Sequence, residues 1–396
     1  MTQRIVAHEP EAMPHVLLDA TALPPDRGGV GRYVDELARA LDAAGVPLTV
    51  VCQGRDAEHF TATTPSSRIV PIAEELQSRP ARLAWEQITL PRLAGRLGVD
   101  LVHAPHYTMP LASPVPVVVT LHDALFFSEP GLHLGAKGRF FRSWTRLSLR
   151  RAAHCVVDSQ ATADELVRYA RADRERMTVI PLGVDPARFK IPSELEIRAL
   201  REHLDLGEQP YVAFLGTLEP RKNVPALIRG FCAAVRDEEN PPALVLAGGA
   251  GWDDDVEPAL TAVPAGIRVI RAGYLPMDLL AAYLGGAAVV AYPSLGEGFG
   301  LPVLEAMACG AAVLTTRRLS LPEVGGDAVA YCGVSAQEIE AALRELLADP
   351  VRRAELGRQA VLRAAGFTWS GHARSCLAVY RRVVGARATQ RTRSAR

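Results

Sequence analysis

Residues 287–316 read AAVVAYPSLGEGFGLPVLEAMACGAAVLTT. An apolar run (287–293) ends in a glycine-rich loop, a short helix opens at Pro302 and is stopped by Gly310, and a second apolar run follows (311–316). That order is a strand, a crossover helix and a parallel strand buried on both faces. Pro suits a first helical position and Gly the left-handed turn past a helix end. The helix start is built for a ligand, because free amides near Phe299, Gly300 and Leu301 can meet a phosphate. Glu297 in the loop and Glu305 in the helix are separated by seven residues. Both can reach one polyhydroxylated molecule, one accepting from sugar hydroxyls and the other from a ribose diol. Favourable placement in the helix dipole would account for Glu305 alone. It does not account for a carboxylate in a glycine loop.

The same alternation of short apolar runs and amphipathic stretches fills the whole chain. Strands are expected at 15–20, 46–51, 100–104, 115–121, 154–159 and 177–182, then at 211–216, 243–248, 267–273, 287–293 and 311–316. The 396 residues exceed one ordinary core and suit two domains. The fold class is therefore α/β, with two doubly wound, Rossmann-like sheets. Residues 1–185 form the first domain, 186–209 a charged, proline-bearing linker and 210–370 the second domain. Residues 371–396 form a helix, opened by a Ser370 cap and crossing back to the first domain, with a frayed basic tail.

Composition narrows the function. The 44 basic and 44 acidic side chains cancel, so no global field recruits nucleic acid or a membrane, and membrane contact is at most peripheral. Six scattered cysteines without a Cys-x-x-Cys pair argue against a zinc knuckle or disulfide framework. The N-terminus (MTQRIVAHEPEAM) has no apolar core of a leader, and no window is long enough to span a bilayer. A cytoplasmic protein is expected, at the inner face of the membrane if its acceptor is there.

Open α/β sheets bind ligands beyond the carboxyl ends of their strands. The expected ends carry Asp19, His103 with His106, His122 with Asp123 and Asp158 with Ser159 in the first half. In the second they carry Thr217, Gly248 with Gly249, Tyr292 with Ser294 and Thr315 with Thr316. Two such edges facing each other make a cleft. Asp26-Arg27-Gly28-Gly29-Val30-Gly31-Arg32-Tyr33 places glycines at a helix start, fit for an anion or for a tight turn. Arg221 and Lys222 follow the first strand of the second domain, and a planar fork beside a point charge suits a diphosphate. A solvated turn is the plainer alternative, but only three lysines occur in the chain.

Two further segments read as structural. Asp253 to Asp255 follow a glycine turn and precede a helix, so they cap it and bind no metal. Residues 137–151 put Arg142, Arg146 and Arg150 on one stripe and Phe140, Trp144 and Leu147 on another. The aromatic stripe is expected to pack on its own core, the alternative being a membrane surface or lipid acceptor.

In order along the chain, GGVGRYVDEL, HAPHYTMPL, VVVTLHDALFFSEP, VVDSQATADEL, VIPLGVD, FLGTLEPRKN, AGYLP, YPSLGEGFGLPVLEAMACG and LPEVGGDA resemble family 4 retaining glycosyltransferases of the GT-B fold. The GGxGRY and EPRKN variants are similar to a bacterial mannosyltransferase-like branch. The resemblance implies that Arg221 and Lys222 hold a donor diphosphate, Glu297 the transferred sugar and Glu305 the ribose. It gives the amides of Phe299, Gly300 and Leu301 to phosphate and sugar, and Gly29 and Gly31 to the diphosphate from the opposite domain. His122 and Asp123 fall beside sugar and acceptor. Where many members carry Arg after the glycine at position 216, this chain has Thr217, and Arg221 is expected to compensate.

The expectation is a metal-independent, cofactor-free transfer of a hexose from a nucleoside diphosphate sugar, GDP-mannose by branch, to a hydroxyl acceptor. That acceptor is lipid-linked or small, in polysaccharide, glycoconjugate or glycosylated natural-product assembly. Front-face attack is implied, with the leaving phosphate oxygen taking the acceptor proton. A nucleotide-sugar epimerase or a non-catalytic sugar-nucleotide-binding subunit are the alternatives.

Overall fold

The computed structural model describes residues 13–24, 27–72, 76, 78–132 and 135–394. Asp26 and the leader-free reading of residues 1–12 lie outside them, as do residues 395–396. The first sheet holds β1 (Val16–Asp19), β2 (Leu48–Gln53), β3 (Arg68–Ile72), β4 (Leu101–Ala104), β5 (Val117–Leu121), β6 (His154–Val157) and β7 (Met177–Val179). The second holds β8 (Tyr211–Leu215), β9 (Ala243–Ala247), β10 (Val269–Gly273), β11 (Val289–Tyr292), β12 (Val313–Thr316) and β13 (Ala330–Cys332).

Every pairing is parallel, in the orders β3-β2-β1-β4-β5-β6-β7 and β10-β9-β8-β11-β12-β13. Chain direction across each sheet reverses between β1 and β4 and between β8 and β11, and at such a switch point the flanking loops splay apart to leave a crevice. β8 leads into Arg221 and Lys222, and β11 into the glycine loop. The crevice of the second sheet therefore receives two cations from one side and Glu297 from the other.

The central strands are wholly buried, as expected of sheets covered by helices on both faces. Helix Gly29–Ala43 shows how its own sequence fits that role. Tyr33, Val34, Leu37, Ala38 and Leu41 recur at helical spacing and are buried.

Residues 186–209 are more than a tether. Ser193 and Glu196 form a reciprocal capping box on helix Glu194–His203, and Leu200, Leu204 and Leu206 are buried in the hydrophobic core. The chain crosses between the sheets twice, and the crossings touch. Val184 N–H donates to Phe367 O at 3.0 Å, Val184 bridges Thr368, and a side chain on Gly183 would strike the backbone of Trp369 at 2.3 Å.

Helix Trp369–Ser394 follows the second crossing. The Ser370 cap is corrected: Ser370 lies inside the helix, and the Thr368 hydroxyl accepts the Gly371 N–H at 3.1 Å. The stretch expected to fray continues the helix to Ser394. Its buried face (Ala373, Cys376, Leu377, Tyr380, Val383) meets helix Gly29–Ala43 and β6 of the first sheet. There the Tyr380 hydroxyl and His103 Nδ1 share a 2.6 Å hydrogen bond, while His103 Nε2 lies 2.8 Å from the Thr120 hydroxyl. Burial lowers His103 to about 3, so it sits neutral in this network.

A second correction concerns helix Gly135–Arg151. Phe140 is 41% exposed and Trp144 half-buried; Phe141, Thr145, Ser148 and Leu149 turn inward instead, with Phe141 against Tyr107 and Phe126. Among the described residues, no helix is long and apolar enough to cross a membrane.

Tyr380→Phe leaves a ring nitrogen of buried His103 without its partner, which costs about 1–3 kcal/mol. Calorimetry should record a lower melting temperature; an unchanged one would mean that this bond does not hold the terminal helix.

Candidate active site

The two sheets face each other across a cavity of about 560 Å³. Gly28, Gly29, His122, Asp123 and Asp158 line it from the first domain, and Arg221, Lys222, Glu297 and Phe299 to Pro302 from the second. Its centre is the Glu297 carboxylate, 7% exposed. Oε1 takes Lys222 Nζ at 2.7 Å, lies 2.7 Å from the Ser294 hydroxyl and accepts from the Tyr292 hydroxyl at 3.1 Å, while Oε2 pairs with Arg221 Nη1. Glu219 takes the other arm of Arg221 at 2.8 Å.

Local structure fixes these groups. Residues 220–222 form one tight turn ending at Asn223, whose φ of 60° is left-handed. The Asn223 amide secures the turn to Pro293 O and Val334 O, and Leu295 N–H donates to Arg221 O at 2.7 Å. The Ser320 hydroxyl lies 2.8 Å from Glu297 O and 2.9 Å from Phe299 O, tying down the glycine loop. Gly300 needs to be glycine, with φ 102° immediately before helix Leu301–Ala308.

Charge in the cluster balances. Burial would raise Glu297, but Arg221 and Lys222 outweigh it and hold the carboxyl at about 2. Burial pulls Lys222 below its ordinary range, with Arg221 pushing the same way. Arg221 stays charged because Glu297 and Glu219 outweigh its own burial. Two carboxylates and two cations thus neutralise each other until a stronger anion enters.

Other expected residues are placed differently. Gly29 lines the cavity, but Gly31 packs on Arg27, whose Cβ would be 2.9 Å from a side chain there. Glu305, 3% exposed, sits behind Arg32, which lines the cavity and pairs with Glu305 Oε1 from the opposite domain. Glu305 Oε2 is buried without a partner, and so are Asp123 Oδ1 and Asp158 Oδ1.

Both ring nitrogens of His122 are taken. Nδ1 meets Asp158 Oδ2 at 2.8 Å and Nε2 meets the Pro105 carbonyl at 2.8 Å. A carbonyl only accepts, so Nε2 carries a proton. Burial works against a charge, yet Asp158 raises the imidazole above its ordinary value. What His122 presents across the cleft is its backbone carbonyl, against which Gly298 fits so closely that a Cβ would lie 1.8 Å away. Asp253 accepts the Asp255 N–H at 3.2 Å ahead of helix Val256–Thr261.

Asp158, Arg32, Tyr292 and Ser294 belong to the site without having been assigned to it from sequence. Asp158, Tyr292 and Ser294 stood out only as strand-end polar residues, and Arg32 only by its place beside the glycines.

Comparison with known proteins gives the class. The Glycosyltransferase Family 4 profile matches residues 27–188, and the glycosyl transferases group 1 profile matches residues 196–363. The chain is 30% identical over 273 residues to O-antigen chain mannosyltransferase B of Escherichia coli, covering 68% of this chain and 71% of that protein. It is 31% identical over 413 residues to D-inositol 3-phosphate glycosyltransferase of Salinispora tropica, covering 93% and 83%. Serotype-specific mannosyltransferase WbdA of Escherichia coli is 28% identical over 71% of this chain but only 36% of its own length.

Two solved structures share the fold. Sucrose-phosphate synthase from Thermosynechococcus elongatus has a TM-score of 0.74 at 22% identity, covering 94% of this chain and 99% of that one. Anabaena HepE in complex with UDP-glucose has 0.71 at 18%, covering 95% and 99%. The architecture is GT-B, and the chain belongs to the family 4 glycosyltransferases.

Glu297→Gln removes one of the two carboxylates that neutralise Arg221 and Lys222. Because Glu297 titrates at about 2 in the folded chain against an ordinary 4.5, its stabilisation is complete above about pH 5 and fades as pH falls toward 2. The variant should melt lower at neutral pH and lose that part of the acid dependence. Its affinity for nucleoside diphosphates should not fall, whereas its turnover should; undiminished turnover would remove Glu297 from the chemistry.

Proposed function

We propose that this enzyme moves a hexosyl group from a nucleoside diphosphate sugar to a hydroxyl acceptor with retention of anomeric configuration. The observation that carries this reading is the self-neutralised cluster of Arg221, Lys222, Glu297 and Glu219 at the switch point of the second sheet. A diphosphate can take over the two cations, leaving the Glu297 carboxylate to accept from the hydroxyls of the attached sugar. The amide-bearing start of helix Leu301–Ala308 faces the same space and adds positive potential.

The protein's contribution is electrostatic and positional. The acceptor hydroxyl approaches from the first-domain side, by Asp123 and the His122 carbonyl. The leaving phosphate oxygen takes its proton as the glycosidic bond forms on the face that the diphosphate leaves. Arg221, Lys222 and two helix starts suffice for the developing charge, so transfer proceeds without a divalent ion. GDP-mannose is the favoured donor; the names of two of the relatives, both mannosyltransferases, support the mannosyl group.

A thermal-shift screen of GDP, UDP, ADP and TDP tests the base. A ligand at about 100 times its dissociation constant adds about 2.7 kcal/mol, so the matching nucleotide should stand out; a flat response to all four would reject the donor site. Arg221→Ala with Lys222→Ala should weaken diphosphate binding by about 1.5–3 kcal/mol per lost charge-assisted bond and leave nucleoside binding nearly unchanged. Equal losses in calorimetry would reject the clamp. Product formed from GDP-mannose in excess EDTA should keep the donor's anomeric configuration by NMR coupling. Inversion, or activity restored only by Mg²⁺, would overturn the mechanism.

A further inference from the structure

The donor cluster lies in the second domain and the acceptor-side edge in the first, so the reaction depends on how the two are held together. One contact between them has unusual chemistry. Glu323, in the short helix Leu321–Gly325 of the second domain, reaches across to the start of helix Gln160–Ala170 in the first. Its Oε2 accepts the Gln160 N–H at 2.8 Å and its Oε1 accepts the Ala161 N–H at 2.7 Å. Those are the first two amides of the helix, which have no acceptor inside it. Ser159 serves the next one, accepting the Thr162 N–H at 3.0 Å.

A carboxylate set on a helix N-terminus gains both charge-assisted hydrogen bonds and the helix dipole. Here the helix and the carboxylate belong to different domains. The consequence falls directly on the site. On the same turn, the Thr162 hydroxyl donates to Gly298 O at 3.2 Å, and Gly298 in turn lies against the His122 carbonyl. Glu297 and the glycine loop are thereby set in register with His122, Asp123 and Asp158.

We propose that Glu323 is a positioning residue for glycosyl transfer: its carboxylate, docked on the Gln160 and Ala161 amides, closes the donor domain onto the acceptor-side edge. The Arg221, Lys222 and Glu297 cluster that holds the donor belongs to the second domain, and Glu323 touches none of it, so donor binding does not require Glu323. The inference rests on the donor and acceptor sides assigned above, and solution scattering tests the closure without any turnover.

Glu323→Gln puts an amide that can donate where two donors already point. Gln160→Pro removes one amide from the other side, at a first helical position that tolerates Pro and after a residue already extended (Ser159 φ −147°, ψ 160°). Both variants should melt within a few degrees of the parent and bind nucleoside diphosphate with unchanged affinity. Both should show a larger radius of gyration than the parent by small-angle X-ray scattering, with and without nucleotide, and kcat lower by about tenfold or more, which corresponds to about 1.4 kcal/mol in the barrier. Glu323→Asp should recover part of that loss.

Normal kcat in both variants, or lowered kcat with unchanged scattering, would overturn the proposal. So would a fall in nucleotide affinity as large as the fall in kcat. Failure of the parent protein to bind any nucleoside diphosphate would instead strike the donor-site reading, leaving the scattering result to judge Glu323.

Discussion

The site is organised around one carboxylate that is buried yet ionised. Glu297 stays charged out of water because Arg221 and Lys222 meet it on both oxygens, and they stay charged because it is there. Such a cluster contributes little net stability, since the desolvation of each ion offsets most of the attraction. What it secures is position. Three charged side chains from two different strand ends are held rigid before substrate arrives, which is the preorganisation that electrostatic catalysis relies on. The supporting shell is neutral and local: Ser294, Tyr292 and Ser320 hydroxyls, the Asn223 amide, and backbone bonds between the two loops.

The opposite edge follows another logic. In sequence His122 is a histidine at a strand end, expected beside sugar and acceptor. Its ring is instead spent on Asp158 and the Pro105 carbonyl. With Nδ1 on Asp158 and Nε2 on the Pro105 carbonyl, neither ring nitrogen is left facing the cleft. The ring anchors the end of β5 so that a backbone carbonyl and Asp123 stand at a fixed depth. Tyr33, edge-on to the ring at 4.7 Å, closes the remaining side. The first domain thus offers a backbone carbonyl, the Asp123 carboxylate and Arg32, where the second offers the paired cations and Glu297.

The fold was legible because central parallel strands are apolar runs of distinctive length, and the two doubly wound sheets followed from them. The strands that escaped notice are both at sheet edges. β3 carries Pro71 and an exposed Arg68, so its pattern is not that of a buried strand. β13 is three residues long. The site divided in a similar way. Glu297, Arg221, Lys222 and the glycine loop announce themselves through scarce residue types and helix-start chemistry within short windows. Arg32 on Glu305, Asp158 on His122 and Glu323 on the Gln160 helix join residues 273, 36 and 163 positions apart, and no local pattern encodes such a partner. The helix Gly135–Arg151 erred for a related reason: Phe140 and Phe141 are adjacent, and which of two neighbouring aromatics turns inward is decided by Tyr107 and Phe126 across the gap.

The two crossings between the domains run side by side, joined at Val184, Phe367 and Thr368, with Gly183 pressed on Trp369. Two tethers at separate places would permit twisting and sliding. Two that are bonded to each other behave as one hinge pin. Relative motion of the domains is thereby reduced to nearly a single degree of freedom, an angle about that pin, and every other separation in the cleft becomes a function of it. Rotation about that pin opens the cleft like a book from its far side. Cargo enters and leaves opposite the spine, and a small change in angle there becomes the largest displacement anywhere in the molecule.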